Sequence, residues 1–191
     1  MRRLTHRLPV PFLVYHANAR LCAACVLRED WASAHAYALH ATEARTALQL
    51  ADLTYHVLTA ALLRGGDAAL ARAGVRRFGK DVGANRRFRI PYLRALATLA
   101  QWDGATEQAT RALEEAQALA AQIGLPGEQW QIAVLLAQTY RDRGQADQAD
   151  RVQAQAEATL RALAAGLADP ALRASFLAAA APMLHGRGLR A

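Results

Sequence analysis

The 191-residue sequence predicts an all-α chain, a right-handed α-solenoid of about four helix hairpins closed by a C-terminal capping helix. Three observations lead there. Apolar residues make up 53% of the chain, with alanine in excess over Val, Ile and Thr and aromatics at only 6%, a balance that favours helix over strand. Apolar positions recur at helical spacing in nine segments separated by short breaks carrying Gly, Asp or Pro. The breaks themselves repeat: Glu29-Asp30, Gly66-Asp67, Gly104-Ala105 and Gly144-Gln145 lie 37, 38 and 40 residues apart.

In order, the segments run over 12–28, 31–47, 50–64, 68–80, 87–102, 106–123, 127–143, 146–165 and 170–181. They pair into hairpins at 12–47, 50–80, 87–123 and 127–165, forming one domain over 12–181 with 170–181 as its capping helix and tails at 1–11 and 182–191. Asp30, Asp67 and Asp169 stand where an N-cap would accept from the free amides of a first turn. Gly124, Gly144 and Gly166 stand where a helix closes on a left-handed residue. Eight residues before each repeated turn lies a leucine (Leu21, Leu58, Leu96, Leu136), and five after it an alanine (Ala34, Ala71, Ala109, Ala149). The leucine fills the space between helices, and the alanine methyl lets the second helix cross close to the first. One hairpin cannot cover its own apolar faces, so the copies must stack.

The fourth copy carries the most specific pattern. Gln129-Trp130-Gln131-Ile132-Ala133-Val134-Leu135-Leu136-Ala137-Gln138-Thr139-Tyr140 is followed by the turn at Gly144 and a helix with Ala149 and Ala156. Leu136, Ala137, Tyr140, Gly144, Ala149 and Ala156 make this segment resemble the tetratricopeptide repeat family, and the third copy fits less closely with Leu96, Ala97, Ala100, Gly104, Ala109, Leu113 and Ala116. The spacing exceeds the family's usual repeat and the closing proline is missing, which implies longer helices. That variant is similar to the C-terminal helical-repeat regions of bacterial LuxR-class ATPase regulators and multidomain nucleotide cyclases. The resemblance spans roughly residues 17–181. It implies a scaffold for a protein or peptide partner in signalling or transcription regulation, with no enzymatic activity and no cofactor.

Charge is uneven. Residues 1–94 carry 15 basic and 6 acidic side chains, about +9, whereas residues 95–191 carry 8 and 10, about −2. Between Arg76 and Arg94 the basic residues Arg76, Arg77, Lys80, Arg86, Arg87 and Arg89 face a single acid, Asp81, with Phe78 and Phe88 interleaved. Such a run could hold phosphate or an acidic partner. It reads first as a helix end and a solvated turn, where cations suit the dipole. Nucleic acid is accordingly disfavoured as a partner.

Other motifs fall away on physical grounds. Cys22 and Cys25 match C-x-x-C, but their phase puts both inside a helix packing face, and no second pair completes a metal site. Gly74 to Lys80 nearly spells a P-loop, yet Asp81 replaces the hydroxyl that must bind magnesium and no strand precedes it. His6, His16, His35, His40, His56 and His185 show no zinc-binding spacing. No stretch of 18 apolar residues develops, so no membrane span is expected and the expected location is the cytoplasm.

The first helices of the hairpins are expected to line a concave groove. Helical phase places His16, His56, Arg64, Arg94, Gln101, Trp102, Gln131, Gln138 and Arg141 there. This face is polar and basic, and suits an acidic or carboxylate-bearing partner with Arg64, Arg94 and Arg141 as charge partners and Trp102 as apolar anchor. Trp31, Trp102 and Trp130 read as packing anchors before stacking platforms. The first copy has no capping helix before it, so an exposed apolar face, covered by a homodimer through the N-terminal repeat or by upstream sequence, is expected there.

Overall fold

The structure is a computed structural model that describes residues 11–44 and 54–184. Among these residues there are nine helices and no strand. They are α1 (Pro11–Leu27), α2 (Trp31–Glu43), α3 (Tyr55–Arg64), α4 (Ala68–Val82), α5 (Arg86–Trp102), α6 (Thr106–Ile123), α7 (Pro126–Asp142), α8 (Ala146–Ala165) and α9 (Pro170–Leu184). Consecutive helices pack in the pairs α1–α2, α3–α4, α5–α6 and α7–α8, and each pair rests on the next. The architecture is therefore an all-α helical repeat, and α9 closes it against α7 and α8.

The repeated turn is identical in all four copies. Glu29, Gly66, Gly104 and Gly144 each adopt a left-handed backbone, with φ of 57°, 93°, 71° and 71°. The next amide then donates back to the carbonyl five residues earlier: Asp30 to Cys25, Asp67 to Leu62, Ala105 to Ala100 and Gln145 to Tyr140, at 2.8–3.0 Å. This six-to-one bond satisfies a carbonyl that the helix end would leave open and fixes the angle at which the second helix departs. Glu29 is the only non-glycine among the described residues to take this conformation.

The alanine column behaves as its chemistry requires. Ala34, Ala71, Ala109 and Ala149 are at most 1% exposed, because each lies where the two helices of a hairpin cross. A second small-residue column, Cys22, Thr59, Ala97 and Ala137, is buried as well, so Cys22 serves as a small hydrophobe. The leucine column is less uniform: Leu58 and Leu136 are buried, whereas Leu21 and Leu96 are only half-buried. Larger side chains form three adjoining cores, one across α1–α5, one across α5–α8 and a small one where Trp130, Val134 and Leu160 meet Ala180 of α9. Burying a Leu, Ile or Phe completely contributes about 1.5–3 kcal/mol.

Several expectations need correction. The second helix stops at Glu43 with Ala44 as its cap, short of residue 47, and the third begins at Tyr55, with Thr54 as N-cap, not at 50. Positions 45–53 lie outside the described residues, as do residues 1–10, including His6, and 185–191, including His185. The last helix extends to Leu184, beyond the expected end at 181, because Phe176, Met183 and Leu184 pack against the third core. Asp30 caps α2 through Ser33, and Asp169 accepts from the Ala171 amide, as expected. Asp67 does not cap: its carboxylate meets His35 Nε2 at 2.6 Å instead. Gly166 keeps a right-handed backbone at φ −72°, so α8 ends without a left-handed closure.

The near-P-loop is helix throughout. Gly74, Gly79 and Lys80 lie within α4, and the intervening Phe78 is fully buried. A Cβ on Gly74 would sit 2.3 Å from the Tyr55 hydroxyl oxygen, and one on Gly79 would sit 2.7 Å from the Tyr92 ring. Both glycines make room for tyrosine rings, and nothing in the segment forms a loop that could cradle phosphate.

Candidate functional site

Alternate helices do converge on one surface. A half-open pocket of about 350 Å³ is bounded by Ala23, Val26 and Leu27 of α1, Thr54 with His56 and Val57 of α3, Arg94 of α5, Glu128 and Gln131 of α7, and Met183 of α9. The first helix of every hairpin contributes, so this is the inner face of the stack. Its wall is mostly apolar, and its polar groups are few. Pockets of this size accommodate small ligands or a side chain of a partner.

Arg94 dominates the pocket. Its phase on α5 turns it inward, and it is 3% exposed. One guanidinium nitrogen donates to Gln131 Oε1 at 3.3 Å, while Nε has no hydrogen-bond partner. Burial pushes the group down to about 10, against the opposing pull of the Glu128 carboxylate, and it remains a cation at neutral pH. Glu128 cannot neutralise it fully, because Glu128 is engaged by Arg87 in a direct ion pair. A buried cation without its own counter-ion is unfavourable by several kcal/mol.

His56 lies on the same wall. Its Nδ1 is sealed from solvent without a partner, although part of the ring is still exposed. Burial, and then the Arg94 charge, hold the imidazole well below its usual range, so it is neutral at pH 7. It can donate one hydrogen bond and accept another.

A row of polar bridges continues from the pocket along α5 and α7. Arg87 pairs with Glu128, Arg94 with Gln131, and Gln101 Nε2 donates to Thr139 Oγ1 at 3.0 Å. The three α5 residues are seven apart and lie on one helix face. That seven-residue spacing was the signal in the sequence for this row. Glu128, Val57 and Met183 were not anticipated in the pocket, since nothing local marks them.

Of the expected groove residues, the pocket gathers His56, Arg94 and Gln131. Arg94 is sealed within it, so it is not an open charge partner for a broad surface. Gln101 belongs to the polar row, and Gln138 donates to Asp142 at 2.9 Å. His16 packs edge-on against Phe12 and Tyr15 on its own helix. Arg64 lies outside the pocket, 3.9 Å over the Trp31 ring, and Arg141 reaches Asp150 at 4.0 Å. Trp130 is buried as a packing anchor, whereas Trp102 is 45% exposed.

The basic run divides in two. Arg86 donates to Gln122, Arg87 pairs with Glu128, and Arg89 pairs with Glu115, so these three tie α5 to the following helices. Arg76, Arg77 and Lys80 remain exposed on α4, with Asp81 4.0 Å from Arg77. Among the described residues no group of three His, Cys, Asp or Glu side chains could hold a metal ion, and no helix is long and apolar enough to cross a membrane. No protein-family model, curated protein or solved structure matches the chain.

Proposed function

We propose that the chain is a tetratricopeptide-like interaction scaffold whose inner face holds a protein or peptide partner in a signalling or regulatory setting. The observation that supports this reading best is the convergence of α1, α3, α5 and α7 on one concave surface. Exposed anchors flank it: Trp102 and Arg141 stand beyond the polar row, and Phe12, Leu13 and Leu27 leave apolar surface on α1. The α1 surface suits a second copy of the chain or a preceding element. No catalytic role is assigned to these residues.

The test uses Trp102→Ala combined with Arg141→Glu, two exposed positions whose replacement leaves the cores intact. Affinity capture from the native cell with the wild type should enrich a discrete partner that the double variant loses. Equal recovery by both would remove the groove from consideration. A sizing measurement with light scattering tests the α1 surface, and Phe12→Glu with Leu13→Glu should convert any dimer to monomer.

A second reading, a sensor module of a larger signalling system, draws on the half-open pocket and its uncompensated cation. The third, anion or nucleic-acid binding through the basic run, has less support because Arg86, Arg87 and Arg89 are already engaged within the fold.

A further inference from the structure

The pocket has a charge imbalance that its own side chains do not resolve. Arg94 is buried with Nε unpartnered, Gln131 supplies only a neutral acceptor at 3.3 Å, and Glu128, the acid among the described residues that lines the same pocket, is engaged by Arg87. Counting Arg87, Arg94 and Glu128 together leaves one positive charge. Buried guanidinium groups are stable when a carboxylate completes their hydrogen bonds. The space in front of Arg94 is therefore suited to one negative charge. Val26, Leu27, Val57 and Met183 supply the apolar part of the wall, and Thr54 and His56 are its further polar residues.

We propose that this pocket binds a small amphipathic monocarboxylate, its carboxylate on the Arg94 guanidinium and its apolar body against Val26, Leu27, Val57 and Met183. His56 Nδ1, also sealed and unpartnered, can complete the headgroup site as a neutral hydrogen-bond donor in the appropriate tautomer. A monoanion fits better than a phosphate dianion, because only one charge is uncompensated. The proposal deepens the sensor reading and does not depend on a protein partner: ligand binding is measured on the purified chain, whereas the scaffold reading is tested at Trp102 and Arg141, outside the pocket.

Octanoate is the probe, titrated calorimetrically into the full chain, with octanol, octylamine and octyl phosphate as comparison arms of equal chain length. Octanoate is expected to bind saturably and to raise Tm, with each comparison compound weaker by about tenfold or more. Arg94→Met should abolish octanoate binding while raising the Tm of the unliganded protein by about 2–4 °C, since an uncompensated buried charge is replaced by an apolar side chain of similar length. Val57→Trp, which fills the pocket and keeps Arg94, should also abolish binding. No octanoate binding, octanol binding as tightly as octanoate, or Arg94→Met retaining the affinity would each overturn the proposal. So would a drop in Tm for folded Arg94→Met, which would show that the charge is satisfied within the fold. Displacement of octanoate by an apolar tripeptide, with about tenfold tighter binding that is lost on C-terminal amidation, would transfer the site to a peptide end and overturn the small-molecule assignment.

Discussion

The second and third hairpins solve the same packing problem with opposite chemistry. Twelve residues after the repeated turn, the buried position is Ala41, Ala116 or Ala156 in three copies and Phe78 in the second. Phe78 sits between Tyr55, with ring centroids 4.7 Å apart, and Tyr92, at 6.3 Å, and these rings are accommodated because Gly74 and Gly79 carry no side chains. The third hairpin instead crosses on alanines, with Ala109, Ala112, Ala116 and Ala120 forming one face of α6. A stack of repeats thus tolerates a large residue in a small-residue column when neighbouring positions give up volume in exchange. The inner face divides in a similar way. α1 packs on α3 and α3 on α5, but α5 and α7 are bridged by polar side chains, and the enclosed cation belongs to that wider interval.

The largest effect should come from emptying the aromatic site. Phe78→Ala is expected to cost about 3–5 kcal/mol in urea unfolding, as a fully buried ring leaves a cavity between two tyrosines. A cost near that of a surface substitution would show that the second hairpin is not organised around Phe78. The reverse exchange, Ala116→Phe, should cost about 1–3 kcal/mol or more, since α6 offers no compensating glycines. If it were tolerated, the contrast between the two hairpins would be one of sequence only.

The polar interval should reveal itself through pH. His56 is neutral in the fold, whereas in the unfolded chain it takes up a proton near the ordinary imidazole value of 6.5. The unfolded state therefore binds more protons below that pH, and stability should fall as pH drops through 6.5, with a slope of up to about 1.4 kcal/mol per pH unit. His56→Asn should flatten the profile between pH 6.5 and the carboxylate range, and a persisting slope would assign it to another group. The smallest effect concerns the turns. Glu29→Gly should gain about 0.5–1 kcal/mol by relieving a left-handed non-glycine, whereas the glycines at the three equivalent turns leave nothing to gain.

Much of the fold was legible because its devices are local. Turn residues at a fixed interval, alanines five residues beyond them and helical apolar spacing each depend on a few neighbouring positions, and Ala34, Ala71, Ala109 and Ala149 are buried where those patterns placed them. Asp67 was misread because its choice between the α4 amides and His35, 32 residues earlier, is made only when two hairpins meet. Gly166 was misread because a glycine permits the left-handed backbone without requiring it.

The candidate site was legible only as a list of inward positions. Helical phase alone placed His56, Arg94 and Gln131 on one side of the stack, since phase is fixed by 3.6 residues per turn. Which of the inward residues share a pocket, and which are spent on neighbours, depended on how far apart the helices stand. Tertiary packing put Arg64 over Trp31, engaged Glu128 with Arg87 and brought Arg94 into one pocket with Met183 of α9, which is 89 residues away in the chain. The sequence by itself thus determined the helices, their turns and the repeat. The tertiary structure decided where a charge would be buried without a counter-ion, because burial and ion pairing are properties of the assembled stack.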